Sequence, residues 1–296
     1  MAVTEPGSDS VPSSDISHHD GESARWTMVH RAPHPALAGV VAGAYCGYVE
    51  DASAPFRRRE VANGRVAMIV NLGAPLDLLE MTHSPSGGAQ LTSFVAGLHE
   101  GYALTEHHGD QHGVQIDLTP IGAGRLLGGA APDVANACTP LDDLLGPTAS
   151  ELTERLAETT DWPARFEIVD RLLLRLLDGA PDPDPAVAWA WAQLEHSAGR
   201  VPVGVLADEI GWSRRHFGVR FRTEVGLAPK ATGRVLRFRR ACDLLDAGPV
   251  RSIADLAAAC GYADHSHLVR EFRVLGGCTP SQYVADRLPD GGGVAG

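Results

Sequence analysis

No run of about 18 consecutive apolar residues occurs in this 296-residue chain, and no basic start is followed by an apolar segment. Neither a membrane span nor a secretory leader is therefore expected. Cysteine is scarce. Cys46, Cys138, Cys242, Cys260 and Cys278 form no CxxC pair and show no zinc-like spacing, so reduced thiols in a cytoplasmic protein are expected, with thiol-based redox sensing as the alternative. No Gly-rich phosphate loop and no spaced Ser-His-Asp or Cys-His set stands out, so nothing marks a nucleotide-using enzyme or a hydrolase. Positive charge is also in deficit: 25 Lys and Arg against 37 Asp and Glu, a formal net charge of -12. That balance argues against nucleic-acid binding by the whole surface, but it is unevenly distributed. Residues 186–288 hold 14 Arg plus Lys against 10 Asp plus Glu, a balance of +4, and the remainder holds 11 against 27, a balance of -16. The last third is the cationic part.

That third contains one pattern written twice. Leu206, Ala207, Gly211 and Trp212 recur 50 residues on as Leu256, Ala257, Gly261 and Tyr262. Phe221, Arg222, Gly226 and Pro229 recur 51 residues on as Phe272, Arg273, Gly277 and Pro280. A short apolar helix, a turn opened by Gly, a longer helix ending near a second Gly and a Pro opening the next helix make a helix-turn-helix. In the first longer helix Phe217, Phe221 and Val225 share a face at fourfold spacing, while Arg214, Arg215 and Arg222 lie mostly elsewhere. In the second, Leu268, Phe272 and Leu275 form the packing stripe and leave His265, Ser266, His267, Arg270 and Arg273 facing outward. Ser213 and Asp264 fit as N-caps, and Ser252 with Asp255 fits a capping box. A helix from Pro229 to Ala247, carrying Arg234, Arg237, Arg239 and Arg240, joins the units. Its length of ~28 Å compares with the ~34 Å repeat of duplex DNA, so two recognition helices held this way can enter successive major grooves.

On these residues, 200–286 resembles the DNA-binding domain of the AraC/XylS family of transcription regulators. The likeness rests on Leu206-Ala207, Gly211, Ser213 and Phe221-Arg222, then Arg237, Ala241 and Leu244-Leu245. It continues through Ile253, Ala257, Gly261-Tyr262, Leu268, Arg270, Phe272-Arg273, Gly277 and Pro280. It implies promoter binding, gene activation more often than repression, RNA polymerase as a partner, and a small-molecule effector sensed by the N-terminal half. The chain departs from the family pattern at Gly218 and Val219, where the family often has long polar side chains, so reading there leans on Arg214, Arg215 and van der Waals contact. Val201-Pro202-Val203 also stands where the first unit would carry a Ser or Thr cap.

The N-terminal half reads as short strands. Val66 to Leu72 is nearly all apolar, and Val114, Ile116 and Leu118 alternate with Gln115, Asp117 and Thr119; Leu76 to Glu80, Leu91 to Ala96 and Tyr102 to Glu106 are weaker candidates. Strands punctuated by Gly and Pro suggest a sandwich or barrel, and the resemblance implies a cupin-like β-barrel sensor. His99, Glu100, Glu106, His107, His108, Asp110 and His112 are the one cluster with metal-ligating chemistry. His107-His108-Gly109-Asp110 reads as a polar turn, and adjacent strand residues point to opposite faces, so a solvated hairpin loop is expected and no metal or other cofactor. Helices are expected over Pro120 to Gly128, Pro147 to Glu158 and Trp162 to Leu177. The last carries Phe166, Val169, Leu172, Leu173 and Leu176 in one stripe widened by Ile168, Leu174 and Leu177, which suits burial or a homodimer face.

The expected organisation is α+β, with no catalytic residues. A disordered tail (1–24) leads to a sensor and possible dimerisation domain (25–178). A linker (179–185), an all-α double helix-turn-helix domain (186–288) and a flexible end (289–296) follow. Double-stranded DNA is the expected partner. Two other functions fit less of the chain: a metal-dependent cupin-type enzyme with an appended DNA-binding domain, and an architectural DNA-bending protein without an effector.

Overall fold

The computed structural model describes residues 14–20, 24–83, 88–288 and 293–296. The first half is an antiparallel sheet followed by helices: β1 (Asp15–Asp20), β2 (Ala24–Arg31), β3 (Tyr45–Glu60), β4 (Val66–Asn71), β5 (Leu76–Met81), β6 (Ala89–Leu91), β7 (Phe94–Ala96), β8 (Ala103–Leu118), α1 (Pro120–Leu126), α2 (Ala131–Val134), β9 (Cys138–Pro140), α3 (Leu141–Leu145), α4 (Pro147–Glu158) and α5 (Trp162–Leu177). The strand order is β1-β2-β3-β8-β4-β7-β9, with β5 bridging β6 to β8. Two long strands, β3 and β8, pair along their length with a register shift between Ala52 and Phe56, and β8 exchanges β4 for β5 as its second neighbour. The sheet therefore bends, but among the described residues no pairing joins β9 to β1. Where a cupin-like β-barrel was expected, the described residues form an open, curved sheet.

Strand periodicity sets what each face does. In β8 the even-numbered Val114, Ile116 and Leu118 are fully buried with Met68 and Val70 of β4, and Phe166, Val169 and Leu173 of α5 belong to the same core. The Trp162 ring lies on the backbone at Gly47, where an added Cβ would meet it at 2.3 Å, so a side chain there would lift α5 from the sheet. Arg31 of β2, 3% exposed, pairs with Asp170 of α5. The same carboxylate accepts hydrogen bonds from the Tyr45 hydroxyl at 2.7 Å and the His34 backbone N–H at 2.9 Å. Leu173 and Phe166 are 0% exposed, whereas Leu174, Leu176 and Leu177 are half-buried, so this chain's own core takes the centre of the stripe read as suiting burial or a homodimer face.

The second half is helical: α6 (Pro185–His196), α7 (Val203–Ile210), α8 (Arg214–Val225), α9 (Pro229–Asp246), α10 (Ile253–Ala259), α11 (His265–Leu275) and α12 (Pro280–Asp286), with a last strand, β10 (Val294–Ala295), returning to β3. Among the described residues no helix is long and apolar enough to cross a membrane.

Three segments read as loose are built into the fold. Within 1–24, residues 1–13 and 21–23 lie outside the described residues, but Asp15–Asp20 pairs with β2 in register, and His19 stacks on Trp26 at 4.0 Å. Backbone pairing along an edge needs few apolar groups, which is why composition misread it. Of 289–296, residues 289–292 lie outside the description, while Val294 is 0% exposed beside β3; one buried Val suffices to dock a Gly-rich end. The segment 179–185 is pinned: Pro185 opens α6, Asp184 caps it and pairs with Arg220 at 3.0 Å, and Asp182 pairs with Arg125 at 3.0 Å.

Burial raises the thiols of Cys242, Cys260 and Cys278, and that of Cys138 to about 12. Thiolate formation is thus disfavoured, which opposes redox sensing at these four positions.

Candidate nucleic-acid interface and sensor cavity

Each helix-turn-helix is fixed by local chemistry. In the first, α7 ends at Gly211 in the left-handed region (φ 77°), and Ser213 caps α8 by accepting from the His216 N–H at 3.2 Å. In the second, Gly261 (φ 74°) follows α10, and Asp264 caps α11 by accepting from the His267 N–H at 2.7 Å. Ser252 caps α10 through the Asp255 N–H, but its hydroxyl donates to the Asp255 carboxylate, so the reciprocal backbone contact of a full capping box is replaced by a side-chain one. A complete box forms instead at Thr279 and Gln282 of α12. The leading helix α7 has no side-chain cap at Pro202. Phe217, Phe221, Val225, Leu268, Phe272 and Leu275 are at most 1% exposed, and both packing stripes turn inward as their spacing requires.

The opposite faces present the residues expected to meet DNA. Arg214, Arg215 and Arg222 on α8 are exposed, as are His265, Ser266, Arg270 and Arg273 on α11. His267 is half-buried, its ring set edge-on to Tyr262 at 5.2 Å. His216 stands in the matching place in the first unit, edge-on to Trp212 at 4.6 Å. The 51-residue offset relates His216 to His267, so the repeat itself marks His216 beside the expected DNA-facing residues. Arg214 lies across Gly204 of α7, which has no side chain to displace it.

Several other arginines of this half are held within the protein. Arg220 pairs with Asp184 and Glu224. Arg234 makes a two-pronged contact with Glu271 at 3.0 and 3.1 Å and reaches Glu100 of the N-terminal half at 3.6 Å. Arg237 donates to the Gly199 carbonyl at 2.6 Å. Arg214, Arg215, Arg222, Arg270 and Arg273 are thus left to solvent, while Arg234 of α9 ties the halves together through Glu100.

Contacts between the halves extend to α8 itself. Gly226, at φ 94° beyond its last turn, sits where an added Cβ would come within 2.8 Å of the Ala131 carbonyl of α2, and Gly124 of α1 meets the Glu224 carbonyl as closely.

The concave face of the sheet encloses a cavity of about 540 Å³. Odd-numbered residues of β8, from Ala103, Thr105 and His107 to Gln111, Gln115 and Asp117, point into it, with Ala67 and Ile69 of β4. Leu78, Met81, Leu91 and Phe94 make an apolar end. The far wall belongs to the DNA-binding half: Arg239, Cys242, Asp243 and Asp246 of α9 and Tyr283 of α12. Two imidazoles line the space with buried nitrogens that lack hydrogen-bond partners among the described residues, Nε2 of His99 and Nδ1 of His107. His99 Nδ1 faces the Gly97 carbonyl at 2.7 Å and so carries the proton. Burial holds this imidazole below its usual range, against the Gly97 hydrogen bond, leaving Nε2 a bare acceptor. Burial alone would raise the Glu50 carboxyl, but His107 at 3.3 Å and Arg58 at 3.1 Å overcome that and hold it below its usual value. Asp117 is pushed up by burial.

The expected polar turn at His107-His108-Gly109-Asp110 is corrected, because β8 runs through it. Its alternation scatters the histidine cluster: His107 turns inward at 4% exposure, while the His108 side chain is 57% exposed. Among the described residues no three His, Cys, Asp or Glu side chains are grouped to hold a metal ion.

Two helix-turn-helix units on one long helix define a sequence-reading DNA-binding protein. The model of the helix-turn-helix domain family matches residues 206–286. The DNA-binding domain of AdpA, a global transcriptional factor solved with a target DNA, is 35% identical over 34% of this chain and 86% of its own, with a TM-score of 0.30. The chain belongs to the AraC/XylS family of transcription regulators. The C-terminal domain of AraT, a response regulator from Geobacillus stearothermophilus, is 20% identical over 36% of this chain and 90% of its own (TM-score 0.34). ToxT from Vibrio cholerae is 10% identical over 89% of this chain and 98% of its own (TM-score 0.46). No curated protein matches the chain.

Proposed function

We propose that this regulator binds promoter DNA through α8 and α11, and that a small organic molecule in the sheet cavity controls that binding. The observation that carries the second part is the shared wall: α9, which joins the two reading units, lines the cavity with Arg239, Cys242, Asp243 and Asp246. A ligand that fits the cavity in one arrangement of the halves and not in another shifts the population between them, whereas equal affinity for both shifts nothing. The volume lies in the range of small-molecule sites. The lining asks for a ligand that carries polar groups beside an apolar body, with Leu78, Met81, Leu91 and Phe94 at one end and Gln111, Gln115 and Arg239 elsewhere. Promoter binding in turn brings the protein to its downstream partner, RNA polymerase.

The test uses the full chain, thermal melting against a library of small alcohols, phenols and amides, and DNA affinity with each compound that binds. We expect at least one compound that raises the melting midpoint of the wild type and changes its DNA affinity. Ala67→Phe, which fills the cavity, should lose both responses and keep basal DNA binding. Compounds that act equally on Ala67→Phe, or binding without any change in DNA affinity, would remove the cavity from the regulatory account.

A further inference from the structure

We infer that Val219 reads the C5-methyl group of a thymine, so that the two units recognise chemically different bases. This rests on the DNA-reading role proposed above. Val219 is 61% exposed, more than any other exposed large hydrophobic residue described. Its surroundings make that exposure informative, since a single surface valine is otherwise unremarkable. It is the sixth residue of α8, four after Arg215 and three before Arg222, and those spacings place all three on one helix face. Both arginines are exposed. The opposite face, with Phe217, Phe221 and Val225, is fully committed to the core. Val219 is therefore the apolar centre of a cationic face.

The internal repeat supplies the second observation. The 51-residue offset that relates Phe221 to Phe272 also relates Val219 to Arg270, the sixth residue of α11. At the place where one unit carries a long donor, the other carries two methyl groups. Beside it, an added Cβ on Gly218 would find no atom within 4 Å, so the face is notched and the helix can approach a base edge closely. In the major groove the one apolar feature a base pair offers is the thymine methyl, whereas an arginine in the same position matches guanine O6 and N7. Valine also contributes little to α8 itself, because a β-branched residue lowers helix propensity and this one is mostly exposed.

The experiment selects duplexes from a random-sequence pool with the full chain, then replaces each thymine of the selected duplex by deoxyuridine, which removes only the methyl. Wild type is expected to lose affinity roughly fourfold at one or two thymines, the size of one buried methyl contact. Val219→Ala should bind the thymine duplex correspondingly more weakly and show no dependence on methyl at those positions, while Arg270→Ala keeps that dependence. The deoxyuridine arm leaves the protein untouched, so misfolding cannot mimic the result. Affinity indifferent to every methyl, or a methyl dependence that survives in Val219→Ala, overturns the inference and leaves DNA reading intact. A pool from which no sequence is enriched overturns both.

Discussion

Arg270→Ala is expected to weaken binding to a selected duplex by ~1 to 3 kcal/mol, about 5- to 150-fold, and to relax preference at one base pair. The side chain is exposed on α11, on the side opposite Leu268, Phe272 and Leu275, which are 0% exposed, so truncation removes a contact to DNA without opening the core. Titration at several salt concentrations, on selected and scrambled duplexes, separates base reading from charge. A loss on both duplexes, with the salt slope reduced by about one, would assign Arg270 to a phosphate. Unchanged affinity on both would take it out of the interface. The arginines of α9 make the contrast. Arg234 is engaged with Glu271 and with Glu100 of the N-terminal half, and Arg237 with the Gly199 carbonyl, so replacing Arg234 acts on the joint between the halves and replacing Arg237 on packing within the DNA-binding half, rather than on a base.

Asp170→Ala is expected to produce the largest loss of stability, ~3 to 5 kcal/mol, because it leaves Arg31 charged and buried without its counterion. The Arg31 side chain is 3% and the Asp170 side chain 13% exposed, and the Tyr45 hydroxyl loses its acceptor in the same change. The double variant Arg31→Met, Asp170→Leu should recover most of the loss, since two apolar groups leave no unpaired charge. Urea unfolding of the three proteins decides it. A midpoint for Asp170→Ala close to wild type would mean that the pair does not hold α5 on the sheet.

Legibility differed between the halves for physical reasons. In the DNA-binding half each signal is local: Gly211 and Gly261 in the left-handed region, Ser213 and Asp264 as caps, and phenylalanines at helical spacing. Such features fix helix ends and faces without long-range information, so α8 and α11 were readable. Pro147–Glu158 and Trp162–Leu177 were readable for the same reason. In the sheet, alternation identified Val114, Ile116 and Leu118, but what lies beyond Gln115 and Asp117 was not encoded locally, because polar residues facing a cavity alternate just as those facing water do. His107 to Asp110 carried the composition of a turn, yet β8 continues past it, pairing with β3 on either side of the register shift between Ala52 and Phe56. The apolar stripe of α5 announced burial without naming the partner, and Phe166, Val169, Leu172 and Leu173 join this chain's own core. Ion pairs such as Arg31–Asp170 and Arg234–Glu100 join residues more than a hundred positions apart, beyond the reach of any local pattern. Val219 was legible as a departure from the family pattern, but its exposure between two arginines required the fold.

Chemical footprinting of the full chain on a selected duplex tests most directly whether both units read DNA. α9 is 18 residues long, ~27 Å at 1.5 Å per residue. Two units joined this way should protect major-groove atoms in two patches centred about 10 base pairs apart on one side of the duplex. Arg270→Ala should erase one patch and Arg215→Ala the other. A single patch lost equally in both variants, or protection spread without preference over any sequence, would contradict the account.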